Sequence, residues 1–143
     1  MIPQYNETYE KFLSLTNLCE KVFSDSTAEL KKSMKRTEQF MEALGSPHKK
    51  LKIIHIAGTS GKGSTAYMVH QMLTADKQNV GTYLSPHTTT FLERFQYNDK
   101  LLSADDLVSS MNELMDTYQK HLAKTNTPLS FFELSTCLSL FAF

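Results

Sequence analysis

The sequence predicts an α/β protein built on a parallel β-sheet that helices flank, and three observations support this. Residues 51–57 form a short, β-branched apolar segment, as expected of a strand covered on both faces. A glycine-rich turn and an amphipathic helix over residues 62–76 follow it, and a second strand is predicted over residues 79–84. The face of this helix that can pack on a sheet consists of Ala66, Val69, Met72 and Leu73. Strand, helix and strand form a βαβ unit, which predicts parallel strands joined by a right-handed crossover.

The composition of the 143 residues restricts the class of protein. Fifteen basic and fifteen acidic residues give zero net charge, which argues against nucleic acid as a partner because such binding relies on a positive surface. Cys19 and Cys137 lie far apart without CxxC spacing, which favours reduced thiols and a cytoplasmic protein. We find no signal peptide and no apolar run of the ~20 residues that a bilayer span needs, so no membrane role is predicted.

A helical lead-in over residues 1–47 is predicted to contain two helices. The first spans residues 6–23 with loosely helical apolar spacing. The second begins with a capping box of Ser26 and Glu29 and ends at Gly45. Its predicted apolar face consists of Leu30, Met34, Thr37, Met41 and Leu44. Its charged face, which is expected to be solvated, consists of Lys31, Lys32, Lys35 and Arg36.

The rest of the chain is predicted to hold a long loop over residues 85–102 and two further helices. One helix begins at Ser103, with Asp106 three residues on, and stops before Asn126, and the last begins near Ser130. The predicted apolar side of the first of these helices consists of Leu107, Met111, Leu114, Met115, Tyr118 and Leu122. The apolar run of residues 131–143 ends without a cap, which we interpret as a cut through a buried element. Such a cut would expose core surface, so the chain is expected to self-associate.

The turn between the first strand and its helix has the composition of a phosphate-binding loop. It consists of Gly58, Thr59, Ser60, Gly61, Lys62, Gly63, Ser64 and Thr65. Glycines let several backbone N–H groups point into one hollow, and the helix N-terminus adds partial positive charge. Lys62 would reach the terminal phosphates, and a hydroxyl of Ser64 or Thr65 could bind Mg²⁺. The alternative is a βα turn without chemistry, which a lysine between two glycines disfavours.

The loop departs from the common GxxxxGK[ST] spacing of phosphate-binding loops. Three other segments of the chain are informative together with it. The four are Ile-His-Ile-Ala-Gly-Thr-Ser-Gly-Lys-Gly-Ser (54–64), Tyr-Leu-Ser-Pro-His (83–87), Glu93-Arg94 and Ser-Phe-Phe-Glu-Leu-Ser-Thr (130–136). Together they resemble the folylpolyglutamate synthase family, including bifunctional dihydrofolate synthases, within the Mur ligase superfamily. Gly63 favours the folate branch, because peptidoglycan-building members usually carry Thr or Ser there. The sequence departs from the family at Ser60, Thr88 and Gln96, where Asn, Leu and Arg are usual.

The resemblance implies a fold, an activity and a set of ligands. Residues 1–143 would be the incomplete N-terminal part of a Mur-ligase-type ATP-binding domain, and the C-terminal glutamate-ligase domain would be absent. The full-length protein would be an ATP-dependent ligase that joins L-glutamate to folate or dihydropteroate through an acyl phosphate, with ATP and Mg²⁺ as cofactors. Family members are usually monomeric. This part alone is expected to be inactive, because the family's site closes between two domains.

The same resemblance assigns roles to individual residues. Residues 58–64 would cradle the phosphates, with Lys62 as the catalytic residue. The predicted Mg²⁺ ligands are Ser64, Ser85 and Glu133, and the predicted substrate residues are His87, Glu93 and Arg94.

Each assignment outside the loop has an alternative from the residues themselves. Ser85 could cap a turn before Pro86, and Glu133 completes a capping box at the last helix. His87 could order its loop, and Glu93 and Arg94 could form an internal ion pair. Phe91, Phe95 and Tyr97 are interpreted as core residues in preference to a pterin-stacking surface.

Two rival functions stay open at this point. One is a Mur-type ligase that acts on another amino acid and a peptidoglycan precursor. The other is a non-catalytic chain that binds nucleotide or merely folds. The choice between folate and dihydropteroate and the number of glutamates added are also open.

Overall fold

The structure is a computed structural model that describes residues 2–16 and 27–143. The helices of this part are α1 (Ile2–Thr16), α2 (Thr27–Ala43), α3 (Lys62–Ala75), α4 (Ala104–Thr125) and α5 (Phe131–Ala142). The strands are β1 (Gly81–Tyr83), β2 (Phe95–Tyr97) and β3 (Lys100–Leu101), and single 3₁₀ turns cover Pro47–Lys50 and Phe91–Arg94. The predicted capping residue Ser26, the end of the first predicted helix and Cys19 lie outside the described residues.

The observed sheet is antiparallel, in the order β1-β2-β3. Thr82 of β1 lies opposite Gln96 of β2, and Gln96 lies opposite Leu101 of β3. The predicted parallel pairing of residues 51–57 with residues 79–84 is not confirmed. A strand needs a neighbour for its backbone N–H and C=O groups, and β1 finds that neighbour in β2.

The segment predicted as the first strand therefore carries no ladder. Ile53 and Ile54 are 55% and 63% exposed, although their β-branched character predicted burial on both faces. The apolar composition of a segment indicates that it can form a buried strand, but it does not identify the strand with which the segment pairs.

The core lies between α1, α4 and α5 and beneath the turn at Phe91–Arg94. Helix α4 has the predicted start, since the Ser103 hydroxyl accepts a hydrogen bond from the Asp106 N–H at 3.0 Å. Its predicted apolar side is buried at Leu107, Met111, Leu114, Met115 and Tyr118. No helix in the described ranges is both long and apolar enough to cross a bilayer.

Helix α2 is rotated relative to the prediction. Met41 is buried as predicted, but Leu30 and Met34 of the predicted face are exposed, and Phe40, which lies outside that face, is buried. The reason lies in its first half, where Ser33 and Arg36 turn towards α5 and bond Glu133. A polar contact between helices thus decides the face that the apolar pattern alone assigned differently.

Hydrogen bonds of a buried histidine, and not only apolar packing, join helix α3 to the sheet. The buried His70 donates from Nε2 to the carbonyl of Asn98, and its Nδ1 accepts from the Thr82 hydroxyl at 2.8 Å. Tyr67, Met68 and Met72 are exposed on this helix, although Met72 was predicted to pack on a sheet.

Candidate active site: the predicted phosphate loop and the segment around Arg94

The predicted phosphate loop forms a bend that opens helix α3. Gly61 precedes the helix with φ 73° and ψ 0°, a left-handed conformation that favours glycine. Its carbonyl accepts the first helical hydrogen bond from the Thr65 N–H at 2.9 Å. The ammonium of Lys62 folds back and donates to the Gly58 carbonyl at 2.8 Å. All seven residues from Gly58 to Ser64 are exposed, so the bend and its cation are accessible to an anion.

The hydrogen bond between His70 of α3 and Thr82 of β1 indicates where the end of β1 lies relative to the predicted phosphate loop. His70 lies eight residues after Lys62, about 12 Å along the helix, and Ser85 lies three residues after Thr82, about 10 Å along an extended chain. Because the chain turns back between α3 and β1, we expect Ser85 and His87 to lie at the same edge as the loop. Ser85 is exposed and His87 is half-buried.

Arg94 is a buried cation in an aromatic surrounding. It is 8% exposed, and its guanidinium carbon lies 5.5 to 5.9 Å from the ring centres of Tyr83, Phe91 and Phe131. Its Nε donates to His87 Nδ1 at 2.8 Å, and one terminal nitrogen donates to the Tyr83 hydroxyl at 3.0 Å. Within the described residues no carboxylate pairs with it, so the predicted alternative of a Glu93–Arg94 ion pair is not observed.

Glu93 organises the loop that precedes it. Its carboxylate accepts hydrogen bonds from the N–H groups of Thr88, Thr89 and Thr90 and from the Thr88 hydroxyl, at 2.8 to 3.0 Å. These bonds, the one from the Thr88 N–H above all, lower the pKa of Glu93 from its ordinary 4.5 to about 2. The family departure at Thr88 therefore adds a donor to this carboxylate. Glu93 builds the loop, and its predicted contact with substrate stays a prediction.

The depressed pKa of Glu93 predicts an acid-sensitive loop. A carboxylate whose pKa is lowered on folding stabilises the fold above its ordinary pKa, and this stabilisation is lost as the pH falls towards the folded value. We expect the Thr88, Thr89 and Thr90 amide resonances to keep their positions at neutral pH and to move between pH 4.5 and about 2. Glu93→Gln is expected to displace them at neutral pH, whereas Glu113→Gln on α4 leaves them in place. Amides that first move well above pH 4.5 would contradict the loop assignment.

Glu133 joins α2 to the start of α5. Its two oxygens accept from Arg36 Nε and a terminal Arg36 nitrogen at 2.8 and 2.9 Å, from the Ser33 hydroxyl, and from the Ser130 N–H and hydroxyl at 2.7 and 2.8 Å. The predicted capping box is confirmed. Burial raises the pKa of this carboxyl, but the hydrogen bonds from Arg36, Ser33 and Ser130 outweigh burial and the pKa is lowered.

The predicted Mg²⁺ ligands fit the ion unequally. The exposed hydroxyls of Ser64 and Ser85 are oxygen donors of the kind Mg²⁺ accepts beside phosphate. Both oxygens of Glu133 are occupied by donors, two of them from a guanidinium, so a cation would have to replace Arg36 there. In the described part of the chain no three His, Cys, Asp or Glu side chains are grouped as a metal site. The metal role of Glu133 stays a prediction that this arrangement does not support.

The structure joins residues that the sequence analysis left in the background. Arg36 was assigned to a solvated face, and Tyr83 and Ser135 were given no individual role. The Tyr83 hydroxyl donates to Ser135 Oγ at 2.9 Å, which links β1 to α5. Ser33 and Arg36 have i, i+3 spacing on α2, which indicates that they share a face of the helix. This spacing does not identify Glu133 as the carboxylate that they bind.

Comparisons with known proteins identify the family of this chain. No family model matches the chain. The chain is 34% identical over 114 residues to the dihydrofolate synthase/folylpolyglutamate synthase of Bacillus subtilis, covering 78% of this chain and 26% of that protein. The folylpolyglutamate synthetase of Lactobacillus casei superposes with a TM-score of 0.80 at 26% identity, over 97% of this chain and 33% of that one. The chain belongs to the folylpolyglutamate synthase family.

A second solved relative of the folylpolyglutamate synthase family was determined with nucleotide. This folylpolyglutamate synthase of Mycobacterium tuberculosis, complexed with ADP and AMPPCP, matches with a TM-score of 0.72 at 33% identity, over 78% of this chain and 26% of that one. The chain spans about a quarter of the length of the curated relative from Bacillus subtilis. The structural matches confirm the predicted fold family, while the parallel sheet is not confirmed.

Proposed function

We propose that this chain provides the phosphate-binding part of an ATP-dependent ligase that adds L-glutamate to a folate or to dihydropteroate. The observation that carries this proposal is the exposed bend at Gly58–Ser64, which opens α3 with a left-handed glycine and a lysine. A solved relative with ADP and AMPPCP supports nucleotide as the ligand of that bend. The names of the relatives support a folate and glutamate as the other reactants.

The chemistry that this arrangement suits is activation of a carboxylate. A carboxylate is a poor electrophile, and transfer of a phosphoryl group gives an acyl phosphate whose leaving group the amine of L-glutamate displaces. The backbone N–H groups of residues 58–64 and the Lys62 ammonium would neutralise and orient the transferred phosphoryl group. Mg²⁺, when bound near Ser64 and Ser85, would offset further phosphate charge.

Nucleotide binding by Lys62 is the direct test. When nucleotide binds, we expect the Lys62 ammonium to replace its exposed hydrogen bond to the Gly58 carbonyl with one to phosphate. A charge-assisted hydrogen bond is worth about 1.5–3 kcal/mol. Lys62→Ala is therefore expected to weaken AMPPCP binding, measured by calorimetry with Mg²⁺, by about ten- to hundredfold. Lys120→Ala, which removes an exposed cation from α4, is expected to change nothing. Equal affinity in the parent chain and in Lys62→Ala would refute the phosphate-loop assignment.

Turnover is a separate expectation. The 143 residues cover about a quarter of the length of the relative from Bacillus subtilis, so we expect them to bind nucleotide without forming amide product by themselves.

A further inference from the structure

We propose that Arg94 positions His87 so that its Nε2–H donates a hydrogen bond to an anionic oxygen of the carboxylate substrate. The inference rests on the proposed function for the identity of that substrate. Arg94 positions the His87 ring, and His87 contacts the substrate. This division separates two residues to which the family resemblance gave the same role.

The direction of each hydrogen bond fixes the ring's proton. The Nε of an arginine is always a donor, so His87 Nδ1, 2.8 Å away, must present its lone pair. A neutral imidazole then carries its proton on Nε2. The other end of Arg94 is equally determined, because its terminal nitrogen donates to Tyr83 and Tyr83 donates to Ser135.

The ring is also fixed in orientation. The edge of His87 packs against the face of Phe91, with ring centres 5.9 Å apart at 81°. Phe91 and Phe131 hold the Arg94 guanidinium from the side of the core. The half-buried His87 thus has one nitrogen committed to the interior, and no partner within the described residues for Nε2.

The local charge favours an anion at that position. Arg94 is nine-tenths buried and has no carboxylate partner in the described ranges. Its nearest carboxylate in sequence, Glu93, is committed to four donors of residues 88–90. A buried cation interacts strongly through a medium of low dielectric, so its field adds to the Nε2–H donor and selects a negatively charged oxygen.

Nitrogen-15 spectra of the histidine-labelled chain test the positioning step. We expect a single His87 tautomer with protonated Nε2, together with a slowly exchanging Arg94 Nε–H. Arg94→Met should give a mixture of tautomers, and Arg94→Lys should restore the single one. Tyr83→Phe disturbs the same cluster but leaves the Nε bond, so it should not change the tautomer. Protonated Nδ1 in the parent chain, or an unchanged tautomer in a folded Arg94→Met chain, would overturn the proposal.

Titration with p-aminobenzoyl-L-glutamate, which carries carboxylates without a pterin, tests the contact. We expect it to shift His87 Nε2 and to bind about tenfold more weakly to His87→Phe, while His87→Gln retains most of the affinity because its amide N–H replaces Nε2–H. Inorganic phosphate is the second probe. A response to phosphate alone would assign the oxygen to the nucleotide and overturn the carboxylate, and no response to either probe would overturn the donor role.

The outcome is separable from that of the proposed function. Lys62→Ala should leave the response of His87 to p-aminobenzoyl-L-glutamate unchanged. Loss of AMPPCP binding with a normal His87 response would therefore count against the nucleotide site, and the reverse would count against this inference.

Discussion

Glu133→Ala is expected to lower the free energy of unfolding by about 3–5 kcal/mol. The Glu133 and Arg36 side chains are only 8% and 16% exposed, and removing one partner of a buried ion pair leaves the other charge poorly compensated. The same change removes the acceptor of the Ser130 N–H at the start of α5. A loss of this size is a large fraction of the marginal stability of a chain of this length. Urea unfolding followed by circular dichroism measures it.

Two further variants separate the ion pair from general effects of substitution. Glu42→Ala on the exposed side of α2 is expected to stay within about 0.5 kcal/mol of the parent. The double variant Arg36→Met, Glu133→Leu should lose less than the sum of the single changes, because apolar groups replace both charges together. A Glu133→Ala chain within 1 kcal/mol of the parent would show that α2 and α5 are not joined through this carboxylate.

The site residues differ in how far local sequence could predict them. The bend at Gly58–Ser64 was predictable because its glycines and the start of the helix that follows lie within eight consecutive residues. The capping box of Ser130 and Glu133 was predictable for the same reason, since i, i+3 spacing defines it. The bond from Arg36 to Glu133 was not, because 97 residues separate the two side chains. An isolated charge on a helix is usually solvated, and no local pattern identifies the exception.

The fold follows the same division. Helix α4 was predicted with its cap and its buried side, because a long amphipathic repeat carries its own signal. The pairing of the sheet was not predicted, because pairing depends on two segments and β1 could pair with either residues 51–57 or β2. Strand composition favoured the first, and the turn at Phe91–Arg94 brings the second alongside. The rotation of α2 has the same origin in a contact between distant elements.

Phe91→Ala is the second substitution with a large expected effect, again about 3–5 kcal/mol in the free energy of unfolding. Phe91 is 1% exposed, and its ring lies 4.9 to 5.9 Å from five others. Those rings belong to Tyr9, Phe12, His87, Phe95 and Phe131. The substitution would leave a cavity where α1, α5 and the turn at Phe91–Arg94 meet, and each lost ring pair removes a further stabilising contact.

The consequences of Phe91→Ala should extend to the loop, which distinguishes this position from an ordinary core residue. The truncation removes the surface against which the His87 edge and the Arg94 guanidinium rest, so the Thr88–Thr90 amides and the His87 tautomer should change even in the folded chain. Phe132→Ala is the matched control, because Phe132, in the first turn of α5, is 58% exposed, and its truncation should alter neither the stability nor the loop. If Phe91→Ala and Phe132→Ala unfold at the same urea concentration, the aromatic cluster around Phe91 does not support the loop.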